Sequence, residues 1–312
     1  MKTSSLLAAL GCFAVLAVTS QAKIERTVEK SFTVAPGDTL RVETSGGMIR
    51  VDTSDSNTVK ITAREKIRAD SETEADELLK KLTLVMETQG NDVKASAKYE
   101  KSTGGFRWGN QPVQVDFIVT IPRRFTVDLD TSGGGITVAD LDGKVSARTS
   151  GGNVRLGKIS GDVDARTSGG DIELGESKGE TNLNTSGGNI MLGHVVGAAV
   201  VSTSGGNIKA TEVEGPLSAK TSGGNVTATF VGGIRGDCVL TTSGGNVKAY
   251  VGANSGFQLD ASTSGGGVRT DGLTITISNG GAGKSRLSGA VNGGGPLLKL
   301  RSSGGDIVIA KR

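Results

Sequence analysis

Residues 149–166 read TSGGNVRLGKISGDVDAR, and this stretch decides the fold. It divides into two halves of nine residues, TSGGNVRLG and KISGDVDAR, and each half has glycine at its fourth position. Apolar side chains stand at the sixth and eighth positions, namely Val154 and Leu156, then Val163 and Ala165. Alternation with a period of two is typical of a strand with one buried face, and a preceding glycine permits a tight turn. Each unit therefore predicts two short strands and two turns.

The unit repeats along the chain. TSGG begins at six positions spaced by 18 residues, which are Thr131, Thr149, Thr167, Thr185, Thr203 and Thr221. Further copies begin at Thr242 and Thr263 after intervals of 21 residues, with a late SSGG at Ser302 and an outlying TSGG at Thr44. A fixed period indicates stacked structural units. We predict an all-β fold, a single-stranded parallel β-solenoid with 18–21-residue coils stacked about 4.8 Å apart.

Stacking in register would place equivalent residues in columns. The predicted buried column contains Val154, Ile172, Ile190, Ile208, Val226 and Val247. The predicted polar column beside it contains Asn153, Asp171, Asn189, Asn207, Asn225 and Asn246. Stacked asparagines add hydrogen bonds along such an array.

Composition agrees with a thin rod and excludes several classes. The chain has 49 glycines, only 3% aromatic residues, and 35 basic against 32 acidic residues. The glycines do not recur every third residue, which excludes collagen. The basic residues form no stripe that would follow a phosphate backbone, so we expect no nucleic-acid partner.

Residues 1–22 are predicted to be a secretory signal peptide. Lys2 supplies the positive start, an apolar run follows, and Ser20-Gln21-Ala22 fits a small-x-small cleavage site. The alternative, a lipid-modified Cys12, is less favoured because Cys12 lies inside the apolar run. We expect an exported protein that is periplasmic, on the cell surface or extracellular, without a transmembrane segment after cleavage.

The remaining chain divides into residues 23–130 and the regular solenoid of residues 131–312. Residues 23–130 are predicted to form N-terminal coils with an inserted helix and hairpin that cap one end of the rod. We place the helix at residues 71–82 because Ser71 and Glu74 form a capping box. Residues 84–87 and 93–97 form the predicted hairpin, and residues 113–122 form a long apolar strand. Residues 279–295 are expected to be an irregular loop before the last coil at Ser302.

The chain resembles the bacterial domain-of-unknown-function family labelled "putative adhesin". The resemblance rests on the N-terminal strand pattern, the helical insertion, the apolar strand ending in Ile121-Pro122 and the TSGG units from Thr131. It covers nearly all of the chain after the leader and implies the β-solenoid fold. Some relatives belong to cell-envelope stress systems. The resemblance implies no catalytic residues.

Few residues are candidates for chemistry. His194, the single histidine, is expected at a solvent-facing turn and has no second histidine with which to bind metal. The acidic residues of Asp128-Leu129-Asp130 and Asp140-Leu141-Asp142-Gly143 do not recur in register, unlike those of a calcium β-roll. We therefore predict no cofactor. Cys238 is the one cysteine beyond the leader, and its alignment with Val163 predicts a buried thiol.

Two short motifs remain. Arg235-Gly236-Asp237 matches an adhesive tripeptide, although the repeat itself accounts for Gly236 and Asp237. Phe106, Arg107 and Trp108 form the one aromatic cluster, which is either a plug for the open end of the rod or a possible binding surface.

The sequence favours a non-enzymatic, exported, envelope-associated structural or adhesive scaffold. Its expected partner is an envelope protein or polysaccharide. The first alternative is a binding module that senses envelope stress or a ligand. A polysaccharide-active β-helix enzyme is less favoured because 18-residue coils are narrow for a catalytic groove. An ice-binding threonine array is disfavoured by neighbouring Arg148, Arg166 and Lys220.

Overall fold

The computed structural model describes residues 23–100 and 111–312. The N-terminal part contains β1 (Lys23–Thr33), β2 (Thr39–Thr44), β3 (Ile49–Ser54), β4 (Thr58–Arg68), α1 (Glu72–Leu79), β5 (Leu82–Gln89), β6 (Asp92–Tyr99) and β7 (Val113–Pro122). The regular coils contain β8 (Thr126–Thr131), β9 (Ile136–Val138), β10 (Val145–Thr149), β11 (Val154–Ile159), β12 (Val163–Arg166), β13 (Ile172–Ser177), β14 (Thr181–Asn184), β15 (Ile190–Val195), β16 (Ala199–Ser202), β17 (Ile208–Val213), β18 (Leu217–Lys220) and β19 (Val226–Phe230). The C-terminal part contains β20 (Cys238–Thr242), β21 (Val247–Val251), β22 (Phe257–Thr263), β23 (Val268–Asp271), β24 (Ile275–Gly283), β25 (Arg286–Val291), β26 (Leu297–Ser302) and β27 (Ile307–Lys311).

The strands form two long sheets, as the 18-residue repeat predicts. Sheet 1 has 13 strands in the order β1-β4-β7-β3-β9-β11-β13-β15-β17-β19-β21-β27-β23. Sheet 2 has 14 strands in the order β24-β25-β22-β26-β20-β18-β16-β14-β12-β10-β8-β2-β6-β5. In the regular coils, the first half-unit supplies a strand to sheet 1 and the second half-unit supplies a strand to sheet 2. Each strand pairs in parallel with its equivalent in the next coil. The predicted β-solenoid is confirmed.

Both predicted columns are present. Ile190 is opposite Ile172 on one side and Ile208 on the other, and all three are buried. In the polar column, the Oδ1 atom of Asn189 accepts the backbone N–H of Asn207 at 2.8 Å, and the Oδ1 atom of Asn207 accepts that of Asn225 at 2.8 Å. The side-chain oxygen of each coil therefore caps a backbone donor of the next.

The TSGG threonines point into the rod. In one coil, the Thr185 hydroxyl donates to the carbonyl oxygen of Gly170 at 2.8 Å and accepts the N–H of Gly188 at 3.3 Å. The same donor contact recurs from Thr131 to Thr263. Because the hydroxyls are buried and bonded to backbone, they form no surface array of the kind that ice binding needs.

The fourth residue of TSGG is glycine because coils approach most closely there. A Cβ atom at Gly188 would overlap the carbonyl oxygen of Gly170 in the preceding coil. At the third position, a Cβ atom at Gly187 would have its nearest neighbour, the oxygen of Gly169, 3.4 Å away. Only the fourth glycine is therefore required by close packing between coils.

Two coils stack out of chain order. Strands β2 and β3 lie between β6–β7 and β8–β9, so the outlying TSGG at Thr44 aligns directly with Thr131. At the other end, β26 pairs with both β20 and β22, and β27 pairs with both β21 and β23. The SSGG at Ser302 thus occupies a coil between those of Thr242 and Thr263.

The N-terminal strands extend both sheets at one end of the rod. Antiparallel β1 and β4 extend sheet 1, and the β5–β6 hairpin extends sheet 2, with α1 in the connection between β4 and β5. Arg26 on the terminal strand β1 forms ion pairs of 2.7 Å with both Glu72 and Asp76 of α1. The capping interaction is confirmed, since the Ser71 hydroxyl accepts the N–H of Glu74, although the helix is shorter than predicted because β5 begins at Leu82.

The prediction of an irregular loop over residues 279–295 is wrong. Strands β24 and β25 form an antiparallel hairpin, and β25 also pairs with β22. Gly283 and Gly289 lie within these strands, whereas Gly293, Gly294 and Gly295 lie in the connection from β25 to β26 and have positive φ. The hairpin extends sheet 2 beyond β22 at the C-terminal end of the rod.

Candidate functional site

An open groove of about 890 Å³ crosses the outer face of sheet 2. It runs across strands β2, β8, β10, β12, β14 and β16, and so it follows the axis of the rod. Alternation along these strands creates it, because Val127, Val145 and Val163 point into the core while their chain neighbours point outward.

Two columns of side chains line the groove. The first contains the outward residue of each strand, namely Arg41, Asp128, Ser146, Asp164, Asn182 and Val200, which pair in register from coil to coil. The second contains the residue that precedes each strand of the next four coils, namely Lys144, Asp162, Glu180 and Ala198. The composition changes along the axis from charged side chains near β2 to apolar ones near β16.

Charges of opposite sign alternate across the N-terminal half of the groove. The ion pairs are Arg41–Asp92 at 3.0 Å, Arg41–Asp128 at 3.4 Å, Arg148–Asp128 at 3.6 Å, Arg148–Asp164 at 2.9 Å and Arg166–Asp164 at 3.1 Å. They form one continuous chain of six residues over five strands. Because these side chains are at least 30% exposed, each pair adds little stability, but together they balance the charge of this face.

A separate ion pair lies on the other wall. The Nζ atom of Lys144 is 2.8 Å from Oδ2 of Asp162. The hydrogen bond from Lys144, together with the N–H of Glu180, lowers the pKa of the Asp162 carboxyl. This carboxylate therefore stays ionised and paired, which is the opposite of the raised pKa that a general acid needs.

The far end of the groove is apolar. Val200 is 56% exposed, which makes it the most exposed of the large hydrophobic residues described, and Ala198 is its exposed neighbour in the second column. Asn182 lies between this apolar end and the charged half.

His194 lies elsewhere, in strand β15, and so the prediction of a turn position for it is wrong. Its Nε2 atom is 2.9 Å from Oε1 of Glu214, and Arg235 Nη1 is 3.0 Å from the other oxygen. The hydrogen bond with His194, and to a lesser extent the charge of Arg235, lowers the pKa of Glu214. His194 and Arg235 thus share the Glu214 carboxylate in a surface cluster.

The Arg235-Gly236-Asp237 tripeptide is held by the fold at both ends. Arg235 contacts Glu214, as above, and the Oδ1 atom of Asp237 accepts the N–H of Leu297 at 2.8 Å, where β26 begins. Both charged groups therefore have partners within the chain. The interpretation that the repeat explains this tripeptide fits these contacts.

The acidic motifs have structural partners as well. Asp140 Oδ1 accepts the N–H of Lys158 at 2.8 Å, and Asp128 belongs to the ion-pair chain of the groove. Within residues 23–100 and 111–312, no group of three or more His, Cys, Asp or Glu side chains is arranged to hold a metal ion.

Cys238 is buried, which confirms the register inferred from Val163. The side chain is 0% exposed, and its sulfur accepts the N–H of Leu217 at 3.4 Å. Burial raises the pKa of the thiol to about 11. The aromatic cluster of Phe106, Arg107 and Trp108, expected to be a plug for the rod end or a possible binding surface, lies outside the described residues.

The architecture and the repeat agree with a family model that matches residues 46–310, described as Toastrack DUF4097. The chain belongs to the Toastrack DUF4097 family. This confirms the resemblance drawn from the TSGG units and the Ile121-Pro122 strand. In the part of this Toastrack chain that the structure describes, no helix combines the length and apolar character needed to span a bilayer.

Solved structures resemble this Toastrack protein over most of its length but only loosely. A "putative adhesin" from Bacteroides fragilis is 12% identical, with 92% of this chain and 97% of that chain covered and a TM-score of 0.41. A "putative lipid binding protein" from Parabacteroides distasonis is 16% identical, with 92% and 96% covered and a TM-score of 0.42. No curated protein matches the chain.

Sequence reasoning missed the groove. Its charged residues form no visible pattern along the chain, because Arg41 is far in sequence from Asp128 and Arg148. A signal was present at the residue that follows Val127, Val145 and Val163 in the sheet 2 strands, where Asp128, Ser146 and Asp164 recur at the 18-residue period. Recognising it required the knowledge that β2 stacks on β8.

Proposed function

We propose that this Toastrack protein is an exported, non-enzymatic scaffold that binds a component of the cell envelope through the groove on sheet 2. The observation that carries the proposal is the groove itself, which follows the rod axis across six strands and is lined by charged, hydroxyl, amide and apolar side chains. Concave surfaces with a few convergent polar groups are the usual binding sites of proteins.

The electrostatics of the groove support binding rather than catalysis. A general acid or base needs a titratable group with a pKa shifted towards the working pH. In the groove, Lys144 shifts the pKa of Asp162 downward instead, and Asp128 and Asp164 each have arginine partners. Three of the four lining carboxylates, Asp128, Asp162 and Asp164, therefore already have a basic side chain as partner, and Glu180 is the one without an ion pair among the described residues.

Retention by isolated envelopes tests the proposal. The protein from Lys23 onward is mixed with sedimented envelopes, and the bound fraction is measured together with the release of reducing sugar ends. We expect retention without release. Release of sugar ends that grows with time would indicate the enzyme alternative, and a protein that stays in the supernatant would contradict the proposal.

A further inference from the structure

We propose that the groove on sheet 2 binds one strand of an uncharged, extended polysaccharide that lies along the rod axis. The inference rests on the proposed binding function and specifies its ligand. It follows from four features of the groove: its paired charges, its unused hydrogen-bonding capacity, the spacing of its coils and its apolar end.

The paired charges favour a neutral ligand. Arg41, Arg148 and Lys144 each have a carboxylate within 3.6 Å, and so an anionic ligand would have to displace a partner that is already in place. A cationic ligand would meet the same obstacle at Asp128, Asp162 and Asp164. Among the described residues, Glu180 is the one lining carboxylate without an ion pair, and a single exposed carboxylate attracts a cation only weakly. A charged ligand would exchange one exposed ion pair for another of similar strength, so these groups offer it little net gain in electrostatic free energy.

The hydrogen-bonding groups of the groove suit a ligand that carries many hydroxyl groups. The Ser146 oxygen accepts a hydrogen bond from Arg148 Nη1 at 2.9 Å, which leaves its own O–H to donate. The exposed amide of Asn182 both donates and accepts, and each carboxylate has more acceptor positions than its ion pairs use. A sugar hydroxyl also donates and accepts, so it can bridge such neighbouring groups without disturbing the ion pairs.

The coil spacing matches a chain of sugar rings. Six strands separated by about 4.8 Å span roughly 24 Å along the axis. One coil step is close to the length of one ring in an extended polysaccharide, so successive rings would meet equivalent positions of successive coils. The ligand would then cross the strands at right angles.

The apolar end provides a surface for the carbon-bound hydrogens of a ring. Val200 and Ala198 are exposed side by side at β16, next to the amide of Asn182. Apolar contact next to a hydrogen-bonding amide is a common arrangement in small-ligand sites. A lipid headgroup would instead require uncompensated cations, whereas Arg41, Lys144 and Arg148 are all paired.

Calorimetric titration with cellohexaose, chitohexaose and maltohexaose tests the inference. The variants are Asn182→Ala and Val200→Asp in the groove, with Met191→Asp as the control. Met191 is matched to Val200 because it is 49% exposed on a strand of the opposite sheet. We expect at least one hexasaccharide to bind with little dependence on salt. The groove variants should weaken it by about tenfold, equivalent to the loss of roughly one hydrogen bond or apolar contact, and Met191→Asp should leave it unchanged.

The opposing outcomes are distinct. Failure of all three hexasaccharides to bind would overturn the inference, as would tighter, salt-sensitive binding to polygalacturonate or to phosphatidylglycerol vesicles. Thermal melts establish that each variant is folded. Envelope retention that is equal in wild type and groove variants would overturn the groove assignment while leaving the scaffold function in place. Hexasaccharide binding by a protein that envelopes do not retain would support the groove and contradict the proposed function.

Discussion

Ile190 and Met191 are adjacent in strand β15, yet Ile190 is 0% exposed and Met191 is 49% exposed. Ile190 packs between Ile172 and Ile208 in the core column, whereas Met191 points out of sheet 1. One step along the chain therefore crosses from the interior to solvent.

This pair gives the sharpest test of the register. Ile190→Asp would bury a carboxylate without a partner, and we expect it to lower the free energy of unfolding by several kcal/mol. Met191→Asp should change it by about 0.5 kcal/mol or less. Circular dichroism melts compare the two variants. A Met191 variant that melts far below the Ile190 variant would mean that inside and outside have been exchanged.

The two glycines of one TSGG unit should respond differently to an added methyl group. Gly188→Ala would force a Cβ atom into the carbonyl of Gly170, so we expect a loss of stability on the order of 3 kcal/mol. Gly187→Ala has room and should cost about 1 kcal/mol at most. Urea unfolding of both variants measures the difference, and equal midpoints would contradict the close approach of the coils.

The hydroxyl group of the buried threonine should contribute more to stability than the shape of its side chain does. Thr185→Val keeps the volume but leaves the oxygen of Gly170 and the N–H of Gly188 without this partner, at an expected cost of about 1–3 kcal/mol. Thr185→Ser retains the hydroxyl and should recover most of that loss, since Ser302 makes the same contact to Gly245 at 2.8 Å. If denaturant unfolding shows that Thr185→Val is more stable than Thr185→Ser, the hydroxyl does not make the expected contribution to stability.

Cys238 should be protected from reagents and should make stability depend on alkaline pH. An unfolded thiol ionises near its ordinary pKa, whereas burial raises the folded value to about 11, so the folded state favours the protonated thiol. Its contribution to stability is complete below the unfolded pKa and is lost as pH rises through about 11. Urea midpoints of wild type and Cys238→Ala across this range isolate the effect. Rapid labelling of the native thiol by a disulfide reagent would contradict burial.

Export should remove residues 1–22 and leave Lys23 as the first residue. The reason is the combination of Lys2, the apolar run and the Ala22 site. Mass spectrometry of protein recovered from outside the cytoplasm measures the N-terminus. A chain that begins at Met1, or one that carries lipid on Cys12, would refute the prediction.

Local sequence patterns were enough to predict the individual coils, but not the order in which the coils stack. Period-two alternation identified Ile190 as buried and Cys238 as its counterpart in sheet 2, because those properties depend only on position within a half-unit. Nothing local distinguishes the TSGG at Thr44 from the one at Thr131, since any copy fits against any other. The stacking of β2 on β8, and with it the charged half of the groove, depends on tertiary pairing that a repeat motif cannot specify.

The two coils that stack out of chain order have a consequence for length. Interchangeable repeats are prone to slip by a whole unit, which would leave a rod one coil too short with a loop expelled from its side. Here the coil of β2 and β3 is held between β6–β7 and β8–β9, and the coil of β26 and β27 is held between two earlier coils. A slipped array would have to break the strand pairing on one side of an enclosed coil. The enclosed coils at the two ends therefore allow only one alignment of the repeats, and this alignment fixes the number of coils in the rod.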